Sequence, residues 1–245
     1  MSLLDARLAH QQEEAGIRPE PGGDAIPLMT AAEQRYERAK RVLDVTVALT
    51  ALLLLSPLLL IMAIAIKLTS RGPVFYRSTV HGQYGVPFTW HKFRTMVEDS
   101  DDKLHRQFIE AYVNESRGGS APAAASGGLY KLTPDPRVTR VGAFLRKTSL
   151  DEMAQMIDVL RGHMSIVGPR PPVPYEYGMY TEEDMDRLTV LPGITGLAQV
   201  RARSKCPFAE MVALDREYIA HRSIALDLRV MLETILVVLL RKGAY

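Results

Sequence analysis

The sequence predicts an α+β chain held at a membrane. Three observations predict it: an apolar run at residues 42–66, two short β-prone runs separated by glycines just after it, and apolar residues recurring at helical spacing from Leu150 onward. At 245 residues the chain can hold one main globular domain beside the anchor, because the roughly 175 residues after Ile66 suffice to bury a core. The expected organisation is a tail at 1–34, a membrane segment at 35–70 and a globular part at 71–245. The tail, with Pro19, Pro21, Gly22 and Gly23 and few large apolar residues, is expected to stay mobile. Residues 116–128, SRGGSAPAAASGG, read as a flexible loop within the globular part.

The run VLDVTVALTALLLLSPLLLIMAIAI exceeds the about 20 apolar residues that cross a bilayer. Ser56-Pro57 lies inside it, where proline removes a helical hydrogen bond and disfavours helical geometry in the residue before it, so a sharp bend is expected. Arg35, Arg38, Lys40 and Arg41 precede the run and Lys67 and Arg71 follow it, so the positive-inside rule gives no orientation. A kinked spanning helix and a re-entrant hairpin with both ends on one face both fit these residues. The run begins too late to be a secretory signal, and its length argues against a soluble core helix.

After the anchor, residues 73–76 and 86–93 read as a hairpin around Gly82 and Gly85. A straight second strand puts Phe88, Trp90, Lys92 and Arg94 on one face, two cations beside an aromatic platform, or alternatively solvated charges over a core contact. Asp135-Pro136-Arg137 and Thr139-Arg140 add cations further on. Residues 149–171, SLDEMAQMIDVLRGHMSIVGPRP, carry the most chemistry. Ser149 and Glu152 fit a capping box, while Leu150, Met153, Ala154, Ile157 and Leu160 form a buried stripe that Asp151 falls off. A carboxylate in a first helical turn is held ionised by free backbone N–H groups, ready as a nucleophile or metal ligand, although such residues also serve as charge complements alone. Arg146 and Lys147 just before the pair, Arg170 between Pro169 and Pro171, and Lys92 and Arg94 upstream suit a multiply charged phosphate. Residues 191–196, LPGITG, read as a type II turn. Residues 231–240 are too short to span and read as a core or interfacial helix.

Composition excludes several classes. A net charge of +2 and the lack of any nucleic-acid motif argue against a dedicated nucleic-acid binder. Cys206 is the only cysteine, so there is no internal disulfide and no cysteine-based zinc site. The six histidines show no H-x-x-x-H pair, so a zinc hydrolase is disfavoured.

In order along the chain stand Lys40-Arg41, Ser56-Pro57, Gly72-Pro73-Val74-Phe75, Lys92-Phe93-Arg94-Thr95-Met96, Asp135-Pro136-Arg137, Ser149-Leu150-Asp151-Glu152, Gly168-Pro169-Arg170-Pro171 and Pro192-Gly193-Ile194-Thr195-Gly196. From about residue 40 to 242 this set resembles the monotopic phosphoglycosyl transferases, the bacterial sugar transferases that initiate glycoconjugate assembly. The resemblance implies a compact, helix-rich α+β catalytic domain on the cytoplasmic face of the bacterial inner membrane, with Ser56 and Pro57 bending a re-entrant helix and amphipathic helices at the interface. It implies transfer of a sugar 1-phosphate from a UDP-sugar to polyprenyl phosphate with release of UMP. Asp151 would be the nucleophile that carries a phosphosugar, and Glu152 its catalytic partner. Magnesium is expected on Asp151 and Glu152, because hard cations favour oxygen ligands and offset diphosphate charge. Arg146 and Arg170 match phosphate-binding positions, and Lys92, Arg94 and Arg137 are further substrate contacts. The expected partners are the UDP-sugar, polyprenyl phosphate and membrane lipids, with no nucleic acid; a homodimer is left open. The chain departs from the family pattern at Ser78, Val80, Asp158, His163, Arg201 and Ala202, which puts nucleotide or sugar preference in question.

A membrane-anchored scaffold with the same fold and no turnover is the competing class, and the intact Asp151-Glu152 pair argues for the enzyme. A single-pass protein with a cytoplasmic phosphate-binding module is a further alternative.

Overall fold

The computed structural model describes residues 30–97, 103–116, 135, 137–202 and 207–240. Residues 1–29 of the expected tail, residues 117–128 of the expected loop and the thiol of Cys206 lie outside the described residues, whereas residues 30–34 of that tail already form the capped start of a helix and Ser116 ends another. Helix α1, Ala31–Thr69, starts at a capping box in which the Thr30 side chain accepts from Glu33 N and the Glu33 carboxylate accepts from Thr30 N. It is one helical element through Ser56–Pro57 rather than two separated by a turn. Ser56 Oγ donates to Leu53 O at 2.8 Å, the carbonyl that Pro57, lacking an N–H, cannot serve. This helix is long and apolar enough to cross a membrane.

Polar groups fasten the start of α1 to the rest of the protein. Lys40 Nζ lies 3.0 Å from Asp227 Oδ2, both buried, and the Tyr36 and Tyr218 hydroxyls donate to the same carboxylate. Arg41 donates to the carbonyls of Val159 and Leu160, and Asp44 accepts from Ser165 Oγ and Ile166 N. A buried charge is tolerated only when paired and hydrogen-bonded, which this network achieves across some 190 residues of sequence.

Strands β1, Phe75–His81, and β2, Pro87–Phe93, pair antiparallel, with Phe75 opposite Phe93 and His81 opposite Pro87. The first strand therefore runs five residues beyond the expected 73–76, because the turn forms only at Gln83–Gly85, with Tyr84 and Gly85 at positive φ. Helix α2, Lys103–Ser116, packs Ile109, Tyr112 and Val113 against Phe208, Met211 and Val212 of α8, Phe208–His221. Helix α3, Arg140–Thr148, leads into a 3-10 segment, Leu150–Gln155, and α4, Met156–Arg161. Short elements follow: β3 Ser165–Val167, α5 Pro174–Tyr177, α6 Glu182–Met185, β4 Gly193–Thr195 and α7 Leu197–Arg201. Helix α9, Ile224–Leu239, closes the described chain.

The main core joins Ala48 of α1 to Phe88 and Trp90 of β2, Met156 and Val159 of α4, Ile166 and Val167 of β3, and Val230 of α9. A smaller core sets Ile66, near the other end of α1, against Phe93, Leu145 and Ala154. Helix α9 buries Val230, just before the 231–240 run, in the main core, whereas Leu232, Ile235, Leu236 and Leu240 within the run are exposed.

The type II turn expected at Pro192-Gly193 does not form. Gly193–Thr195 is instead a strand parallel to Ser165–Val167, and Gly193 is not among the glycines at positive φ. A side chain at Gly193 would bring its Cβ to 2.1 Å from Gly168 N, so glycine is needed for close approach of two backbones rather than for a turn.

Candidate active site

The acidic pair is presented by a junction that the sequence pattern does not reveal. Ser149 adopts a left-handed conformation (φ 55°), ending α3 and starting the 3-10 segment, and its side chain caps nothing. The expected Ser149–Glu152 capping box is therefore absent. A non-glycine residue in this region costs of order 1 kcal/mol, strain that is found at functional sites. The fold tolerates it, and Arg146 and the carboxylates of Asp151 and Glu152 end up on either side of one tight turn. The expected stripe shifts as well, because a 3-10 segment turns every three residues. Ala154, Gln155, Met156 and Val159 are buried, Leu150, Met153, Ile157 and Leu160 are half-buried, and Asp151 is only 9% exposed.

Strand β2 packs across this turn. Lys92 Nζ lies 2.9 Å from Glu152 Oε1 and 4.0 Å from the centre of the Trp90 ring. Arg170 approaches the same ring at 5.8 Å, so Trp90, Lys92, Glu152 and Arg170 do come together. The turn carrying Arg170 is clamped by backbone bonds: Gly168 N donates to Thr195 O, Gly193 N to Pro169 O, and His81 N to Pro172 O.

Arg137 is held by Asp135, with Nε on Oδ1 at 2.9 Å and Nη2 on Oδ2 at 2.8 Å. Those hydrogen bonds keep the Asp135 carboxyl below its usual range. Its backbone is fixed where Val97 N donates to Arg137 O. His105 of α2 reports on the surrounding charge. Burial, followed by the positive charges of Arg170, Arg137 and Arg146, lowers it from 6.5 to about 4. Three predicted phosphate ligands thus act on one point, and His105, which no sequence motif marks, belongs to their surroundings. Its ring bonds the Tyr175 hydroxyl, and Arg106 lies over the Tyr175 ring.

The remaining predicted residues sit elsewhere. Arg94 is buried against Ser70 at the end of α1, donating from Nη2 to Ser70 O and Oγ. Ser56 and Pro57 are exposed near the middle of α1. Among the departures, Val80 is core and Arg201 pairs with Glu217 on the surface. Asp158 accepts from His91 N at 3.0 Å and bonds its Nδ1 at 2.7 Å, and His163 acts on the same carboxylate. Burial raises the Asp158 pKa, and the bonds from His91 oppose that.

An acidic turn braced by a lysine, beside a clamped Pro-Arg-Pro turn and with the charges of Arg137, Arg146 and Arg170 acting on one histidine, is a candidate anion site on an α+β domain beside an apolar helix. Residues 35–241 match the family model of the bacterial sugar transferases. The chain belongs to that family and is a transferase enzyme. It is 41% identical over 210 residues to the exopolysaccharide production protein ExoY of Rhizobium meliloti, a match covering 84% of this chain and 88% of that protein. It is 39% identical over 233 residues to the UDP-glucose:undecaprenyl-phosphate glucose-1-phosphate transferase of Escherichia coli, covering 91% of this chain and 45% of the relative. The galactosyl transferase CpsE of Streptococcus agalactiae is 37% identical over 207 residues, covering 84% and 43%. The chain thus spans most of ExoY and less than half of the other two.

Proposed function

We propose that the protein passes a sugar 1-phosphate from a UDP-sugar to undecaprenyl phosphate or a related polyprenyl phosphate, as the first membrane step of exopolysaccharide, capsule or O-antigen assembly. The observation that carries this reading is the buried Asp151 at the start of a turn whose next residue, Glu152, is paired with Lys92. In the first step an Asp151 oxygen attacks the sugar-bearing phosphorus, the bridging P–O bond breaks, and its electron pair leaves on UMP. In the second step an oxygen of the lipid phosphate attacks the same phosphorus and releases the Asp151 carboxylate. Neither step needs a net proton, so no acid or base has to be found for it. The names of the Escherichia coli relative and of a Salmonella typhimurium relative, an undecaprenyl-phosphate galactose phosphotransferase 34% identical over 206 residues, support the acceptor class.

Arg170, Arg146 and Arg137 are assigned to the diphosphate, where oriented cations offset charge that shifts onto the leaving UMP. Asp151 and Glu152 fit magnesium, since both offer hard oxygen donors. Among the described residues no group of three His, Cys, Asp or Glu could hold a metal ion; a magnesium ion here would have one or two carboxylates and complete its shell with substrate phosphates and water. When bound, it would supply charge neutralisation at the diphosphate.

The apolar segment is assigned a re-entrant path bent at Pro57, with the globular part on the cytoplasmic face of the inner membrane. Support comes from both flanks being tied to the same globular part, Lys40, Arg41 and Asp44 on one side and Ile66 and Ser70 on the other. Leu53 and Leu54 between them are exposed, as are the outer leucines of α9. Such faces suit burial in lipid beside an interfacial helix.

The test is UMP release by purified full-length protein with a panel of UDP-sugars, with and without polyprenyl phosphate. A covalent nucleophile predicts up to about one equivalent of UMP without acceptor and ping-pong kinetics. It also predicts a phosphosugar adduct on Asp151 by mass spectrometry. Asp151→Asn should fold and release none; near-normal turnover by that variant overturns the assignment.

A further inference from the structure

Arg94 is 6% exposed, and its guanidinium is only partly satisfied. Nη2 donates to Ser70 O at 2.9 Å and to Ser70 Oγ at 2.8 Å, whereas the buried Nε and Nη1 meet no acceptor among the described residues. A side chain that only capped α1 would be complete with a helix-end carbonyl, and Nη2 alone performs that task. Three further N–H donors stay buried on a group that cannot give up its proton. Leaving a buried cation without a counter-charge is strongly unfavourable, and a phosphate offers the planar fork the oxygens it lacks. Trp90 Nε1, four residues earlier on the same strand, and Gln155 Nε2 of the 3-10 segment are also buried donors without acceptors among the described residues.

The position of Arg94 selects which phosphate. Its backbone continues the hairpin, Arg94 N donating to Val74 O, so Arg94 follows Lys92 by one strand repeat, about 7 Å. Lys92 holds Glu152, next to Asp151. In the other direction Arg94 touches the residue that ends the apolar helix, where Leu68 is 81% exposed and Ile64 half exposed. The diphosphate of a soluble donor is assigned above to Arg137, Arg146 and Arg170, whose positive charges all act on His105. Arg94 instead lies between Lys92 of the acidic site and the end of α1, beside exposed apolar side chains that suit an isoprenoid tail.

We infer that Arg94 receives the phosphate of the membrane-borne acceptor and is a specificity-determining residue for the second half of the reaction. The inference rests on the covalent two-step reading above. The site recognises a phosphate monoester, and the isoprenoid acceptor and the nucleotide are its two sources, which the experiment separates.

Full-length Arg94→Gln and Arg94→Lys proteins in detergent micelles are compared with wild type in two assays. In the first, without acceptor, both variants release UMP with a burst close to that of wild type, which also reports that they fold. In the second, the KM for polyprenyl phosphate rises about tenfold or more in Arg94→Gln, and Arg94→Lys recovers part of it. An unchanged acceptor KM, or loss of the burst in a variant that still melts cooperatively, overturns the inference, the latter assigning Arg94 to the donor. A wild type with no burst defeats the two-step reading instead. Direct binding then decides Arg94 separately: farnesyl phosphate should raise the wild-type melting temperature more than farnesol or UMP does, and the difference should vanish in Arg94→Gln. Equal stabilisation of wild type by farnesol and farnesyl phosphate overturns the inference even if no Arg94 variant folds.

Discussion

Lys92 Nζ and Glu152 Oε1 lie 2.9 Å apart, and this contact is where strand β2 meets the acidic turn. The ammonium also rests 4.0 Å from the centre of the Trp90 ring, so one cation is shared between a carboxylate and an aromatic face from its own strand. Neither partner is as much as one-third exposed, which lifts the pair above the negligible value of most surface ion pairs. The contact gives Glu152 a partner where Ser149 makes no side-chain cap to the segment.

Lys92→Met should therefore retain the fold and lose activity. Turnover is expected to fall by about 100-fold, the scale of removing one well-placed cation from a site handling phosphate charge. Lys92→Arg should recover only part, since a planar fork replaces a point charge. UMP release beside circular dichroism checks this, and activity of Lys92→Met within twofold of wild type would remove Lys92 from the site.

Gly193→Ala tests the clamp that holds Arg170. The new Cβ would sit 2.1 Å from Gly168 N and 2.4 Å from Thr195 O, both backbone atoms that cannot swing aside. A cost of about 3 kcal/mol is expected, with a lower melting temperature and reduced UMP release. Gly178→Ala is the control, because its nearest neighbour, Pro174 O, is 3.6 Å away. That variant should stay within about 0.5 kcal/mol of wild type.

His105 gives the protein an acid sensitivity with a defined sign. Its folded pKa of about 4 lies below the ordinary 6.5, so the unfolded chain binds the proton more readily. Stability contributed by the neutral ring is complete above about pH 6.5 and is lost as pH falls toward 4. His105→Gln should flatten that part of the melting temperature against pH. A bound diphosphate offsets the positive charge of Arg170, Arg137 and Arg146, so UDP-sugar should move the His105 titration upward. Imidazole NMR signals with and without UDP-sugar check this; an unmoved titration would place the diphosphate away from the arginines.

Much of this arrangement was legible because it is local. The apolar run, the hairpin around Gly82 and Gly85, the acidic pair and the Pro-Arg-Pro turn all declare themselves within a few residues. What was not legible depends on partners far away in sequence. Lys40 reads as a flanking charge until Asp227 is placed beside it, and Pro-Gly at 192–193 reads as a turn until Gly168 is seen against it. Ser149 fits a capping box by spacing alone, yet α3 ends there, and a residue closing one helix in a left-handed conformation cannot also cap the next. His105 has no motif, and only the convergence of three arginines identifies it.

The path of the apolar segment is open to a direct test. Arg38 and Arg71 are exposed residues outside its two ends, and Cys206 is the only native cysteine, so single-cysteine proteins Arg38→Cys and Arg71→Cys can be made in a Cys206→Ser background. A membrane-impermeant maleimide should label both from the cytoplasmic face in inside-out vesicles and neither in intact cells. Labelling from opposite faces in the otherwise native sequence would defeat the re-entrant path. The combined Ser56→Leu, Pro57→Ala change restores an ordinary helical N–H to Leu53 O and removes the hydroxyl that replaces it, so the bend that the proposed re-entrant path requires would lose its cause. On the proposed re-entrant path, a straighter α1 would pull either Ile66 and Ser70 or Lys40 and Asp44 away from the globular part. UMP release should fall in that variant even though neither substituted residue belongs to the acidic site, and part of the Arg71→Cys population should become reachable from the outer face.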